Sequence, residues 1–285
     1  MPRLAYVNGR YEPHRDACVH IEDRGYQFAD GVYEVIPVIA GRMVDEEPHL
    51  DRLGYSLGEL RIAWPVCRPV LRFIMRELLQ RNGVADGSIY MQVTRGVAPR
   101  DHKFPARSKP SLVLTTKQSR PPAPGLAANG VAVVTRPDIR WRRCDIKSVS
   151  LLPNILGKQQ AVEDGAFEAW LVDDDGFITE GTSTNAWIIT PSGLLTTRDR
   201  SPEILSGITR RAVLQLVRES GIGFEERRFS VAEAVSAREA FLTSSSSHVL
   251  PVTRIDGQPI GDGKPGDLTL RLRDIYLGYA TGRAA

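Results

Sequence analysis

Arg140-Trp141-Arg142-Arg143-Cys144-Asp145-Ile146-Lys147, followed well downstream by Thr179-Glu180-Gly181-Thr182-Ser183-Thr184-Asn185, are the two stretches on which the reading of this chain turns. The first supplies an amine for carbonyl chemistry and the second a carboxylate able to tune it. A lysine attacks carbonyls only as the neutral amine, a form that burial or cationic neighbours favour by disfavouring the ammonium. Lys147 is preceded by Arg140, Arg142 and Arg143, and Val149, Leu151 and Leu152 after it mark a chain entering a core. One lysine among 37 Lys and Arg residues is ordinarily a solvated surface charge. The order of the other motifs along the chain is what raises Lys147 above that.

The 285 residues suit one large or two modest domains, and 42% hydrophobic with 25% charged residues is the composition of a soluble globular chain. A net charge of +3 carried by interspersed residues, without a Lys/Arg run or aromatic and basic interleaving, argues against nucleic acid as partner. Met1 to Tyr6 lacks the apolar core of a signal peptide and no apolar run is long enough to span a bilayer, so no membrane partner and a cytoplasmic location are expected. Cys18, Cys67 and Cys144 are odd in number and show no paired metal spacing, nor do His14, His20, His49 and His248, so no metal is expected. Cys144 reads as a small packing residue.

Leu4–Val7, Asn8-Gly9 and Arg10-Tyr11 predict a hairpin, because Asn-Gly supplies the positive φ angles of a tight turn. Strand patterns follow at 32–39, 88–94 and 112–116, with helical spacing over 47–61 and 69–80, where Pro69 suits a first turn. Ser119-Arg120-Pro121-Pro122-Ala123-Pro124-Gly125 continues neither helix nor sheet and predicts a linker. Beyond it come strands at 131–135, 168–172, 177–179, 186–189 and 239–243, and helices at 153–164, 207–220 and 267–279. Gly207-Ile208-Thr209 would open a helix whose free N–H groups and positive dipole end favour an anion, and Ser244–Ser247 offers hydroxyls to the same charge.

Six separated stretches resemble, in the same order, the fold-type IV pyridoxal-phosphate aminotransferases. They are Glu22-Asp23-Arg24-Gly25-Tyr26-Gln27-Phe28-Ala29-Asp30-Gly31-Val32-Tyr33-Glu34, His49-Leu50-Asp51-Arg52-Leu53, Arg95-Gly96-Val97-Ala98-Pro99-Arg100-Asp101-His102, the Lys147 and Glu180 stretches, and Gly207-Ile208-Thr209-Arg210. Within that group the resemblance is nearest to the D-amino-acid (D-alanine) aminotransferases and runs from about Tyr6 to the last helix. It implies an α+β, two-domain fold-type IV architecture. A smaller N-terminal α/β domain over 1–118 and a linker over 119–129 precede a larger cofactor-binding domain over 130–285 with a β-barrel-like core.

The resemblance also implies roles. Lys147 would form the aldimine with pyridoxal 5'-phosphate and carry the proton between the substrate Cα and the cofactor C4′, acting as base and then acid in a ping-pong cycle. Glu180 would face the pyridinium nitrogen and Leu205 would pack on the ring, while Arg140 and Glu168 would share a polar network nearby. Arg52, Thr209 and Ser245, with the backbone of Ile208, would hold the phosphate. Tyr33, Arg100 and His102 would trap the substrate carboxylate, the last two reaching in from the neighbouring subunit of a homodimer, and the planar fork of an arginine suits that task. The expected reaction is amino-group transfer between a D-alanine-like amino acid and 2-oxoglutarate. A branched-chain L-amino-acid or (R)-amine aminotransferase, and an aminodeoxychorismate lyase, share fold and cofactor and stay open as alternatives. A non-catalytic binding protein on the same scaffold is disfavoured by retention of both Lys147 and Glu180.

Overall fold

Clustering of contacts in the computed structural model, which describes residues 3–119 and 125–282, divides the chain into two compact units, Met1–Arg120 with Ile146–Ser150 and Pro121–Asp145 with Leu151–Ala285. Residues 120–124 of the expected 119–129 linker lie outside the described residues.

In the first unit β1 (Leu4–Val7) and β2 (Arg10–Pro13) form the hairpin, with Asn8 at φ 47° and Gly9 at φ 102° as its turn. The short helix α1 (Arg24–Phe28) is capped by Asp23, whose side chain accepts from Gly25 N. There follow β3 (Gly31–Ile39), β4 (Arg42–Met43), α2 (Glu46–Glu59), α3 (Arg68–Asn82), β5 (Gly87–Thr94) and β6 (Ser111–Gln118). The strands form one antiparallel sheet in the order β2-β1-β6-β5-β3-β4. Period-two alternation sends Ile89, Met91 and Val93 of β5 inward, against Leu50, Leu53 and Leu57 of α2 and Leu71, Met75 and Leu78 of α3.

The same alternation on β3 buries Glu34 between Val32 and Ile36, each fully inaccessible. A carboxylate there requires partners, and α2 supplies them three residues apart on one face. Arg52 Nε and Nη2 each donate to Glu34 at 2.7 Å, and His49 Nδ1 lies 2.7 Å from Glu34 Oε2. The segment Ile146–Ser150 joins this unit because its backbone extends the ladder. Tyr33 N donates to Lys147 O and Val149 N to Gly31 O, both at 3.0 Å, and Ser148 bridges Val32. This departs from the contiguous 130–285 domain drawn from sequence, since strand pairing, not chain order, decides which unit the lysine joins.

The second unit contains α4 (Leu126–Asn129), β7 (Val131–Pro137), α5 (Leu152–Glu163), β8 (Glu168–Val172), β9 (Ile178–Gly181), β10 (Asn185–Ile189), β11 (Leu195–Thr197), α6 (Ile208–Glu219), β12 (Phe224–Glu226), α7 (Val231–Val235), β13 (Glu239–Ser244), β14 (His248–Ile255), β15 (Gln258–Pro259) and α8 (Asp267–Thr281). Nine strands form a mixed sheet ordered β12-β11-β10-β13-β14-β7-β8-β9, with β15 on β14. The sheet curls, for β9 and β10 stand five strands apart in this order yet are joined by the short turn between Gly181 and Asn185, in which Gly181 N donates to Thr184 O at 2.7 Å. Strands β9 and β10 are buried throughout, and a curled sheet covered on both faces gives the continuous apolar run Ala186–Ile189 rather than an alternating one. Across the ladder Trp187 stacks on Phe241 at 5.2 Å and its indole N–H donates to Thr243 at 3.0 Å. The two-unit mixed architecture and the curled sheet match the expected fold class. No helix among the described residues is long and apolar enough to cross a membrane.

The buried Glu34 carboxyl yields a pH test. Burial alone pushes it up, but Arg52 and His49 outweigh burial and hold it at about 2, against about 4.3 for an unfolded glutamate. A carboxyl depressed on folding stabilises above its unfolded pKa, and that contribution is lost as pH falls towards the folded value. Urea unfolding at a series of pH values should show the first unit losing stability from about pH 5 down to pH 2. Glu34→Gln should be roughly 3–5 kcal/mol less stable at pH 7 but flatter in that acid window. Parallel curves for the two proteins would remove Glu34 as the acid-sensitive group.

Candidate active site

In the first unit, β3 and the strand-like Ile146–Ser150 place Tyr33 and Lys147 together, the lysine Nζ lying 4.2 Å from the centroid of the Tyr33 ring. Ser56 on the buried face of α2 takes the Lys147 N–H at 3.1 Å, so backbone bonds hold the lysine on both sides. Among the described residues no carboxylate pairs with its amine. Two of the three cations expected beside Lys147 are themselves neutralised, Arg140 by Asp138 and Glu180 and Arg143 by Asp145. Burial pushes His49 below its ordinary pKa, Glu34 opposes this, and Arg52 and Lys147 push the same way as burial. With Glu34 ionised, His49 Nδ1 must be the donor. Arg52, a phosphate ligand by expectation, therefore spans the Glu34 carboxylate with two of its donors.

Arg100 and His102 lie on the loop after β5, both exposed. The Arg100 guanidinium sits 4.5 Å from the Phe28 ring centroid and the His102 ring 5.5 Å from it. Neither forms a hydrogen bond or ion pair with another described residue, so their donors are open to a ligand.

The second unit surrounds Glu180 with donors. Its carboxylate, in a residue 5% exposed, receives Arg140 Nη1, Asn185 Nδ2 at 2.9 Å and Leu205 N at 3.1 Å to each oxygen. Arg140 is fixed in turn by Asp138, which it meets with Nε at 2.9 Å and Nη2 at 2.7 Å, while Thr179 donates to Asp138 at 2.7 Å. Burial outweighs these donors and leaves the Glu180 carboxyl above its ordinary range. Such a carboxylate is a stronger base towards an N–H cation than a solvated one. The expected Arg140–Glu168 network is not found. Glu168 is fully buried on β8 and receives Thr182 Oγ1, Ser183 Oγ at 3.0 Å and Thr184 Oγ1 at 3.3 Å, which folds the turn after β9. Arg140 reaches Glu180 instead, because Asp138 holds its guanidinium from two residues away.

Ile208 and Thr209 open α6, whose cap Gly207 contributes no side-chain bond. A Cβ at Gly207 would collide with Asn185 Oδ1, so only glycine lets the helix start this close to the Glu180 shell. The Thr209 hydroxyl, in a residue 4% exposed, has no hydrogen-bond partner among the described residues. Ser245 sits half-buried in the turn between β13 and β14, its hydroxyl likewise uncommitted. An uncapped helix start with an uncommitted hydroxyl suits a phosphate, and a buried carboxylate suits a pyridinium, so the donor set fits pyridoxal phosphate. Burial pushes the Cys144 thiol up to about 12, which leaves it inert at neutral pH.

Sequence reasoning missed Glu34, His49, Asp138 and Asn185. Glu34 carried a signal in its register between Val32 and Ile36, Asn185 closes the quoted Glu180 stretch and His49 opens the quoted Arg52 stretch; Asp138 carried none.

The D-alanine aminotransferase of Bacillus licheniformis is 44% identical to this chain over 262 residues, 92% of each. That of Staphylococcus epidermidis (strain RP62A) is 39% identical over 275 residues, 96% of each. Among solved structures, the T.th. branched-chain amino acid aminotransferase with pyridoxamine 5'-phosphate superposes with a TM-score of 0.92 at 24% identity, covering 100% of this chain and 96% of that one. The Escherichia coli branched-chain amino acid aminotransferase gives 0.92 at 22% identity over 100% and 97%. At such identities the likeness is one of fold. The model of the amino-transferase class IV family matches residues 31–255, and this chain belongs to that family.

Proposed function

We propose that this protein is a pyridoxal-phosphate-dependent aminotransferase that moves an amino group between a D-amino acid of the D-alanine kind and a 2-oxo acid such as 2-oxoglutarate. The observation that carries the reading is a chain with an uncommitted lysine amine, a buried donor-bound carboxylate and an exposed, unpaired Arg100–His102 turn. Its 44% identity to a D-alanine aminotransferase across 92% of the chain gives the donor class.

When bound, pyridoxal phosphate supplies an electron sink for negative charge developing at the substrate Cα. Lys147 Nζ would hold the cofactor at its aldehyde carbon and, once displaced by the substrate amine, would take the proton from the substrate Cα and deliver it to that cofactor carbon. Glu180 holds a proton at the pyridine nitrogen, and Arg140, Asn185 and Leu205 N keep its carboxylate in place. Thr209, Ser245, the Ile208 N–H and Arg52 would hold the phosphate, and Leu205 would lie beside the ring. Arg100, His102 and Tyr33 bind the substrate carboxylate, with Arg100 and His102 contributed by the second subunit of a homodimer.

The purified protein should be yellow, and borohydride should fix the chromophore on Lys147; Lys147→Ala should lose multiple turnover. Peptide mapping that finds the reduced cofactor on another lysine defeats the assignment.

Glu180→Gln should lower kcat far more than cofactor affinity, because it removes the anion but leaves the phosphate ligands. Thr209→Ala should do the reverse and raise the cofactor dissociation constant by roughly 1.5–3 kcal/mol, the range for a hydrogen bond to a charged group. Equilibrium dialysis alongside steady-state kinetics separates the two effects, and a Glu180→Gln enzyme of full activity contradicts the role.

Arg100→Ala should cost about 2–5 kcal/mol in kcat/KM for D-alanine if the charge pair is desolvated. Mixing Arg100→Ala with Lys147→Ala subunits tests the sharing of sites, since a heterodimer keeps one site with both residues only when they come from different chains. Partial recovery of activity is expected. Verified heterodimers without recovery mean each site is built from one chain.

A further inference from the structure

The turn carrying Arg100 and His102 is tied to helix α1 by contacts of three kinds. The backbone of 22–24 runs beside 96–98, with Arg24 N donating to Gly96 O at 2.9 Å, Ala98 N to Glu22 O at 3.3 Å, and a bridge between Asp23 and Val97. The Arg24 side chain, only 3% exposed, donates from Nη1 to Asp101 O at 2.6 Å, the carbonyl of the residue between Arg100 and His102. Its Nε is held by Asp30 at 2.8 Å, and Asp30 is clamped by Arg95 at 2.7 and 2.9 Å. Finally the Phe28 ring meets the Arg24 guanidinium at 4.7 Å, that of Arg100 at 4.5 Å and the His102 ring at 5.5 Å.

We propose that α1 pre-orients the substrate-carboxylate trap, with Phe28 as the platform on which Arg100 and His102 rest and Arg24 as the pin of the peptide between them. This rests on the assignment of Arg100 and His102 to the carboxylate made above. An exposed arginine without partners samples many rotamers, and ordering them on binding reduces affinity. Contact with an aromatic ring restricts that sampling through the cation–π attraction, and it leaves the in-plane N–H donors of the guanidinium free for a carboxylate. A hydrogen-bonding anchor for Arg100 would instead occupy the donors the ligand requires. Arg24 contributes differently. Buried and bonded to Asp30, it fixes the direction in which both side chains leave the backbone. Phe28 and Arg24 are thus positioning residues that act on carboxylate-bearing substrates through Arg100 and His102.

The test uses the holoenzyme with three readouts: KM for D-alanine, calorimetric Kd for propionate, and the single-turnover rate with ethylamine, which lacks a carboxylate. Phe28→Leu should raise KM and the propionate Kd together by about two- to fivefold, the factor a cation–π contact at a partly exposed site supplies. It should leave kcat and the ethylamine rate within about twofold, the pattern of a lost uniform binding interaction. Phe28→Tyr, which keeps the ring, should restore both constants. Arg24→Lys keeps a charge beside Asp30 but lacks the fork that reaches Asp101 O, so it should reproduce the Phe28→Leu pattern; it also carries the test should Phe28→Leu fail to fold. Equal changes in all three readouts, or no change in propionate binding, overturn the proposal. Arg100→Ala is measured in parallel. If Arg100→Ala also leaves propionate binding unchanged, the carboxylate assignment itself falls; if Arg100→Ala responds and Phe28→Leu does not, only the platform falls.

Discussion

The hydrogen bond from Tyr33 N to Lys147 O, 3.0 Å long, is the constraint on which the first unit's chemistry depends. It seats a distant segment of chain on β3, and because side chains alternate along a strand it settles two environments at once. Tyr33 meets the lysine amine, while its neighbour Glu34 faces the opposite way into the core. A slip of one residue in this pairing would turn the Lys147 side chain to the opposite face, away from Tyr33. The lysine therefore owes its place to a ladder that also obliges α2 to supply Arg52 and His49.

Four carboxylates share one arrangement. Glu34, Asp30, Asp138 and Glu180 each meet an arginine that is itself 8% exposed or less, by two donors or through a network, whereas the buried Glu168 is met by the hydroxyls of Thr182, Ser183 and Thr184. Desolvation of such ions is costly, and the attraction within a pair offsets it only when the remaining donors and acceptors are satisfied. The clusters differ in sign of consequence. Glu34 ends strongly acidic because two partners outweigh burial, whereas Glu180 ends less acidic than usual because burial prevails. The first suits a structural clamp and the second a base that holds a proton on a cationic ring.

Much of the fold was readable in the sequence where the local signal and the final structure agree. Asn8-Gly9, the helical spacing over 47–61 and Pro69 in the first turn of α3 each marked an element within a few residues of its observed end. Strand β14 escaped because Pro251 argues against a strand, yet its missing donor is tolerated opposite Phe241. Helix α1 has five residues, too few to show a period, and β11 and β12 have three each. In the site, motif order named the side chains but not their partners. Arg140 was assigned to Glu168 although Glu180 is its partner, because which of two acids a guanidinium meets depends on the curl of the sheet and leaves no trace in spacing. Glu34 illustrates the opposite case, where the register of an apolar strand had already marked the carboxylate as buried.

The residues assigned to the cofactor and to the substrate obey opposite physical designs. Glu180 and Thr209 are buried, and Glu180 accepts from Arg140, Asn185 and Leu205 before any ligand arrives, which suits a group that stays in place through many turnovers. Arg100 and His102 are exposed, have no polar partner among the described residues, and rest on an aromatic ring. A trap built as Glu180 is built would hold its own carboxylate and exclude the substrate's; one with no support would lose affinity to disorder at every binding event. An aromatic platform resolves the conflict, because it orients a cation without using the hydrogen-bond donors that must be released to, and recovered from, each successive carboxylate.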